Sequence, residues 1–141
     1  MALLPRKGLL AIAAVIDVAL HDRRPVSAKA LAVRHDLPAR HLEPVLQALV
    51  RDGILKGIRG PRGGYALARD RRRITADEIL RAAGTIEDDG DSGRSGSALL
   101  NEVVRPAVAQ AERTFSTALS RINVEDLVRR AEPYRDTPGR N

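Results

Sequence analysis

GILKGIRGPRGGYALAR, residues Gly53–Arg69, decides how this chain folds. Two short apolar runs, ILKGIR and YALAR, flank a Gly/Pro-rich turn that carries Arg59 and Arg62. Runs bounded in this way form a β-hairpin with a medium-length loop. Gly60, Gly63 and Gly64 give the turn its backbone freedom and allow close approach. The stretch is not a phosphate-binding P-loop: GPRGGY lacks the Gly-Lys-Ser/Thr ending and precedes a strand.

Immediately upstream lies a helix–turn–helix pattern. Ser27 stands where a short helix, AKALAVRH, needs its N-cap. The turn His35-Asp36-Leu37-Pro38 follows. A second helix over about 39–51 sets Leu42, Val45, Leu46 and Leu49 inward at helical spacing, and Gly53 ends it. Pro44 lies inside this helix, where proline costs about 3 kcal/mol, so the helix either begins later or bends there. Two short helices followed by a hairpin with a basic tip make a winged helix. The fold class is mainly α with a small β-hairpin.

In a helix–turn–helix the start of the second helix meets base edges in the major groove. Here it offers Arg40, His41 and Glu43, with Gln47 one turn on and Arg51 at its end. Arg can fork onto guanine, Gln onto adenine, and Glu can accept from cytosine N4. A carboxylate near phosphates is costly, so Glu43 either reads a base or pairs with Arg40 or Arg51. Arg59 and Arg62 reach phosphates or the minor groove. The expected DNA-binding set is Ser27, Arg40, His41, Glu43, Gln47, Arg51, Arg59, Arg62, Gly63, Gly64 and Tyr65.

Charge agrees with this placement. The 141-residue chain carries a net +6, with 16 Lys/Arg against 8 Asp/Glu in residues 1–85 and 8 against 10 in residues 86–141. The basic half is the half with the helix–turn–helix and hairpin, the footprint of a module for double-stranded DNA. Phe115, Tyr65 and Tyr134 are the only aromatic residues, too few for a base-stacking surface for RNA or single strands. The chain has no cysteine, and its histidines, His21, His35 and His41, lack metal-ligand spacing. No metal or cofactor is expected. With no nucleophile–base pair either, an enzyme is not expected.

The flanks complete the plan. GLLAIAAVIDVAL, residues 8–20, is apolar nearly all round and reads as a helix buried on more than one side. It is too short to cross a bilayer and contains Asp17, and no signal peptide is visible, so the chain reads as cytoplasmic. After the hairpin, RDRRR at Arg69–Arg73 is a solvated turn or a phosphate clamp. Thr75-x-x-Glu78 has the form of a capping box opening ADEILRAA, with Gly84 as its stop. EDDGDSGRSGS, residues 87–97, has no apolar side chain and reads as a mobile loop. From Ser97 to Ile122 an apolar stripe runs along a helix about 38 Å long. It could be the chain's own core, a dimer seam or a ligand wall. The seam fits best, because the helix outruns a small winged helix. Its expected residues are Leu100, Val104, Val108, Ala111, Phe115, Leu119 and Ile122, with a kink at Pro106. Asn123-x-x-Asp126 caps a last helix, VEDLVRRA, and the chain frays from Pro133. The expected division is a winged helix–turn–helix domain at 1–85, an acidic loop at 86–97, a dimerisation region at 98–132 and a tail at 133–141.

Three stretches carry a resemblance: RKGLLAIAAVIDVAL, then PVSAKALAVRHDLPARHLEPVLQALVRDGILKGIRGPRGGYALAR, then ITADEILRAA. Together they resemble the family of the regulators IscR, NsrR and CymR, often called the Rrf-two family. The resemblance implies a bacterial transcription factor, usually a repressor, acting as a homodimer on a pseudo-palindromic operator. It matches Glu43 to the family's base-reading glutamate and Arg59 to its wing arginine. His41 stands where the family often has tyrosine, and Pro38 where it often has a capping serine. Many relatives hold an iron–sulfur cluster through three cysteines in the loop before the dimer helix, and here that loop has none. The chain is therefore similar to cluster-free members, which respond to an effector or a partner protein. A winged-helix adaptor for protein interaction, with no specific operator, is the alternative reading.

Overall fold

The computed structural model describes residues 4–84 and 96–135. Most of the acidic loop expected at 86–97, and the tail beyond Arg135, lie outside them. The elements run α1 (Arg6–Leu20), α2 (Ala28–Arg34), α3 (Ala39–Arg51), β1 (Leu55–Ile58), β2 (Gly64–Leu67), a 3-10 turn at Arg71–Arg73 and α4 (Ala76–Ala82). A π-helical turn at Leu100–Val104 leads into α5 (Arg105–Ser120), followed by α6 (Val124–Ala131) and a 3-10 turn at Glu132–Tyr134. Among the described residues no helix is long and apolar enough to cross a membrane.

The helix ends form where the sequence supplies them. The Ser27 hydroxyl accepts the Ala30 N–H at 3.0 Å. Thr75 and Glu78 make the full capping box of α4, and Asn123 accepts the Asp126 N–H at 2.9 Å. Gly53, at φ 76°, closes α3, and the next N–H, from Ile54, returns to the Leu49 carbonyl at 2.9 Å. Each such cap is worth about 1 kcal/mol.

The prolines behave differently from one another. Helix α3 begins at Ala39 and runs through Pro44, so the later start is excluded; Pro44 is exposed and withholds one N–H. Pro106 sits in the first turn of α5, directly after the π-helical turn. The wide turn ahead of it relieves the clash that the ring makes in a regular helix. The irregularity expected at Pro106 is seen as a change of helix type, from the π-helical turn to regular α-helix. Residues 133–135 do not fray: Arg135 donates to the Leu20 carbonyl and pairs with Glu132 at 2.7 Å.

One main core gathers these pieces. Ala11, Ala14, Val15 and Val18 of α1 lie at its centre. Leu31, Leu42, Leu46 and Leu49 come from α2 and α3, Ile54 and Leu55 from the hairpin, and Ile74 and Ile79 from around α4. Each buried Leu or Ile contributes roughly 1.5–3 kcal/mol. Val124 and Val128 of α6 belong to the same core, so the C-terminal part does not stand apart. Backbone bonds from Ala76 to Ile122 (2.8 Å) and from Val124 to Ile74 (2.9 Å) sew α4 to α6. A second, small cluster joins Ala76 and Leu80 of α4 to Leu119 of α5, with Phe115 and Ile12 against it.

Candidate nucleic-acid interface

The helix–turn–helix is held by a group that sequence patterns did not reveal. Asp17 of α1 is buried among apolar neighbours, yet Arg34 of α2 forks onto it, Nε to Oδ2 at 2.9 Å and Nη2 to Oδ1 at 2.7 Å. His35 Nε2 lies 2.9 Å from Oδ2 and His21 Nδ1 3.1 Å from Oδ1. Burial pushes the carboxyl up, but hydrogen bonds from His35 and Arg34 outweigh it and hold it at about 2. A buried charge matched by a bidentate guanidinium fixes orientation as well as energy. Here it fixes α2 against α1. Asp36, at φ 53°, then turns the chain into α3.

Helix α3 is divided cleanly. Leu42, Val45, Leu46 and Leu49 are buried, while Arg40, His41, Glu43, Gln47 and Arg51 are exposed. Of the two roles expected for Glu43, the ion pair is not made: no cation among the described residues reaches it. Pro38 occupies the N-cap of α3 and gives no side-chain cap.

The hairpin is antiparallel, in the register Leu55↔Leu67, Lys56↔Ala66, Gly57↔Tyr65 and Ile58↔Gly64. Arg59 and Arg62 lie at its tip, exposed and without ion pairs. Two glycines set its position. A Cβ on Gly63 would stand 2.1 Å from the Ile58 carbonyl oxygen. One on Gly64, at φ 151°, would stand 2.6 Å from the backbone of Val26. That closeness lets Tyr65 exchange backbone bonds with Val26, at 2.8 and 2.9 Å, one residue before the Ser27 cap. The Tyr65 hydroxyl, in turn, accepts from Gln47 Nε2 at 3.2 Å. The hairpin is thereby tied both to the start of α2 and to the exposed face of α3.

The RDRRR run is largely neutralised inside the fold. Arg69 pairs with Glu78 at 2.8 Å, Arg71 with Glu125, and Arg72 with Asp70 at 2.8 Å. The Asp70 carboxylate, held low by the Arg72 side chain and backbone N–H, also caps the 3-10 turn. Arg73 is left exposed. These pairings favour the solvated turn over the phosphate clamp.

The residues expected at a dimer seam divide. Leu119 is buried in the chain's own second cluster and Phe115 leans on it. Ala111 is exposed and Leu100 half-buried, while Val104, Val108 and Ile122 remain 44%, 45% and 38% exposed. Leu99 and Val103, not singled out from the pattern, are more exposed still, at 66% and 56%. The open apolar surface therefore lies toward the N-terminal half of the long helix.

Chemically, the α3–hairpin face presents unpaired guanidiniums around one unpaired carboxylate and one amide. That set suits phosphates and base edges, not bond-breaking. Nor do the residues fit an iron–sulfur cluster, since there is no cysteine thiolate to hold one. Asp17, His21 and His35 converge, but the carboxylate is spent on Arg34. Among the described residues no group of His, Asp and Glu is arranged to hold a metal ion.

Comparisons with known proteins point the same way. The model of the Rrf2 family, described as an iron-dependent transcriptional regulator, matches residues 4–130. The chain is 31% identical over 135 residues to the HTH-type transcriptional regulator IscR of Xenorhabdus nematophila, covering 92% of this chain and 80% of that protein. Among solved structures it resembles T. potens IscR, with a TM-score of 0.73 and 28% identity, covering 98% of this chain and 94% of that one. It also resembles CymR, the global cysteine regulator of B. subtilis, with a TM-score of 0.71 and 25% identity, covering 91% and 97%.

Proposed function

The chain belongs to the Rrf2 family of DNA-binding transcriptional regulators, and we propose that it acts as a homodimer on a pseudo-palindromic operator, as a repressor, without an iron–sulfur cluster of its own. One observation carries the reading. Glu43 is exposed on α3 without an ion pair, on a surface where Arg40, Arg51, Arg59 and Arg62 are also unpaired. A lone carboxylate weakens a purely electrostatic grip on phosphates. It becomes favourable where a base-edge donor such as cytosine N4 meets it. Arg59 and Arg62 then position the protein through phosphates or the minor groove, while Arg40, His41, Glu43 and Gln47 select sequence.

The homodimer rests on the open apolar surface of Leu99, Val103, Val104 and Val108. A second copy covers such a stripe by symmetry and sets two reading helices on two half-sites. The absence of a cluster rests on the cysteine-free sequence. The signal then comes from an effector or a partner protein.

The test is selection of bound fragments from genomic DNA with the purified chain and with Glu43→Ala. The wild type should enrich a two-fold symmetric site, and the variant should relax one position in each half. Enrichment of no common site would refute operator recognition and favour an adaptor without an operator.

A further inference from the structure

Behind the hairpin lies a cleft that the proposed operator contacts do not use. It is open to solvent on one side and holds about 530 Å³, a volume within the roughly 300–1,000 Å³ of small-ligand sites. Its walls are the turn after α1, the outer side of the hairpin and the Arg69–Arg71 stretch. Val18, Pro25, Ile58 and Ala66 give it an apolar lining. Arg23, Arg24, Lys56, Arg69 and Arg71 stand around it, against the carboxylates of Asp22 and Asp70. Arg69, Arg71 and Asp70 already have partners. Arg23, Arg24 and Lys56 are exposed and make no ion pair with any described residue.

The strand register says which way this cleft faces. Alternate residues of a strand point to opposite sides. Tyr65 reaches Gln47 of α3, so Lys56 and Ile58, on the other side of the pairing, point away from the reading helix. Unpaired cations around an apolar lining suit a ligand with both an anionic group and an apolar body. The strands that wall the cleft also carry the tip with Arg59 and Arg62.

We propose that this cleft binds a small organic anion, a carboxylate or phosphate on an apolar body, and that its occupancy changes operator affinity through the hairpin. The regulatory half of this inference rests on the proposed operator function; the binding half does not.

The test uses the full chain with phenyl phosphate as probe and benzyl alcohol as its neutral control, followed by amide NMR shifts. Phenyl phosphate should give saturable shifts in residues 22–24 and 56–58, and benzyl alcohol should not. Arg23→Gln combined with Lys56→Gln should weaken the probe about tenfold. Without probe, that variant should keep operator affinity within about threefold of wild type. At a probe concentration near the wild-type Kd, operator affinity should change for the wild type and much less for the variant, and an unchanged wild-type affinity at saturating probe overturns the regulatory half. The inference is overturned by unsaturable shifts, by shifts confined to α3 or to the tip, or by undiminished probe binding in the variant. It is also overturned if Lys56→Gln harms operator binding as much as Arg59→Ala, which would make the cleft part of the DNA contact. Saturable binding in the cleft by a chain that selects no operator would uphold the site and refute the operator reading.

Discussion

Asp17→Asn isolates the group that sets the helix–turn–helix. The native carboxyl titrates at about 2 against an ordinary 3.8. At about 1.36 kcal/mol per pKa unit this depression is worth roughly 2 kcal/mol. Asp17 is depressed on folding, so the contribution is complete above the ordinary pKa and drains away as pH falls from about 4 toward 2. Asparagine keeps the size of the side chain and removes the charge. It leaves the Arg34 guanidinium, 29% exposed, without its partner. Urea unfolding of both proteins at pH 7, 5 and 3, at one protein concentration, reads the difference. The gap should be about 2–3 kcal/mol at pH 7 and 5 and clearly smaller at pH 3. A gap that stays constant from pH 7 to 3, or is under about 0.5 kcal/mol throughout, would refute the reasoning. Because Arg34 and His35 hold α2, the variant should also lose operator affinity without any change in its preferred sequence.

Other perturbations address the remaining links. Gly64→Val sets a side chain against the Val26 backbone and should break the bridge to Tyr65, giving faster hydrogen exchange at those two amides while α1 stays protected. Leu80→Ala, at a fully buried site between α4 and α5, should cost about 2–5 kcal/mol in thermal or urea unfolding. Val104→Asp, on the open stripe, should shift sedimentation from two chains to one with little change in helix content. Arg59→Ala and Arg62→Ala should each weaken binding to operator and unrelated duplex alike and lower the slope of log affinity against log salt by about 0.9 per lost phosphate contact. Glu43→Ala should instead cost about 1–3 kcal/mol of discrimination at one base pair.

Local signals were legible in the sequence and tertiary ones were not. Ser27, the Thr75–Glu78 pair, Asn123 and Gly53 act within a turn of their own residue, so reading them needs no knowledge of the fold. The hairpin was legible for the same reason. The Asp17–Arg34–His35 group joins residues from two helices, and only packing brings them together. Arg71 finds Glu125 across the chain, so a run that looked like open charge is mostly paired. Periodicity showed that α5 has an apolar stripe but could not say what covers it. Phe115 and Leu119 turn to α4, while Leu99 and Val103, just before α5, stay open. The wide turn at Leu100–Val104 lies directly before Pro106, and the proline marks an irregularity in the sequence without saying of what kind. For the α3–hairpin face, residue types and spacing marked the candidates. The missing ion pair on Glu43 and the Gln47–Tyr65 contact emerged only from the structure.

The central claim is specific operator binding by two copies of this chain. Its most direct measurement is the affinity for a selected duplex and for a shuffled duplex of equal length, across a salt series, with the number of bound chains read by sedimentation. The account predicts two chains per selected duplex and a preference of about a thousandfold or more that falls markedly in Glu43→Ala. Equal affinity for both duplexes at every salt concentration, or one chain per selected duplex, would contradict it.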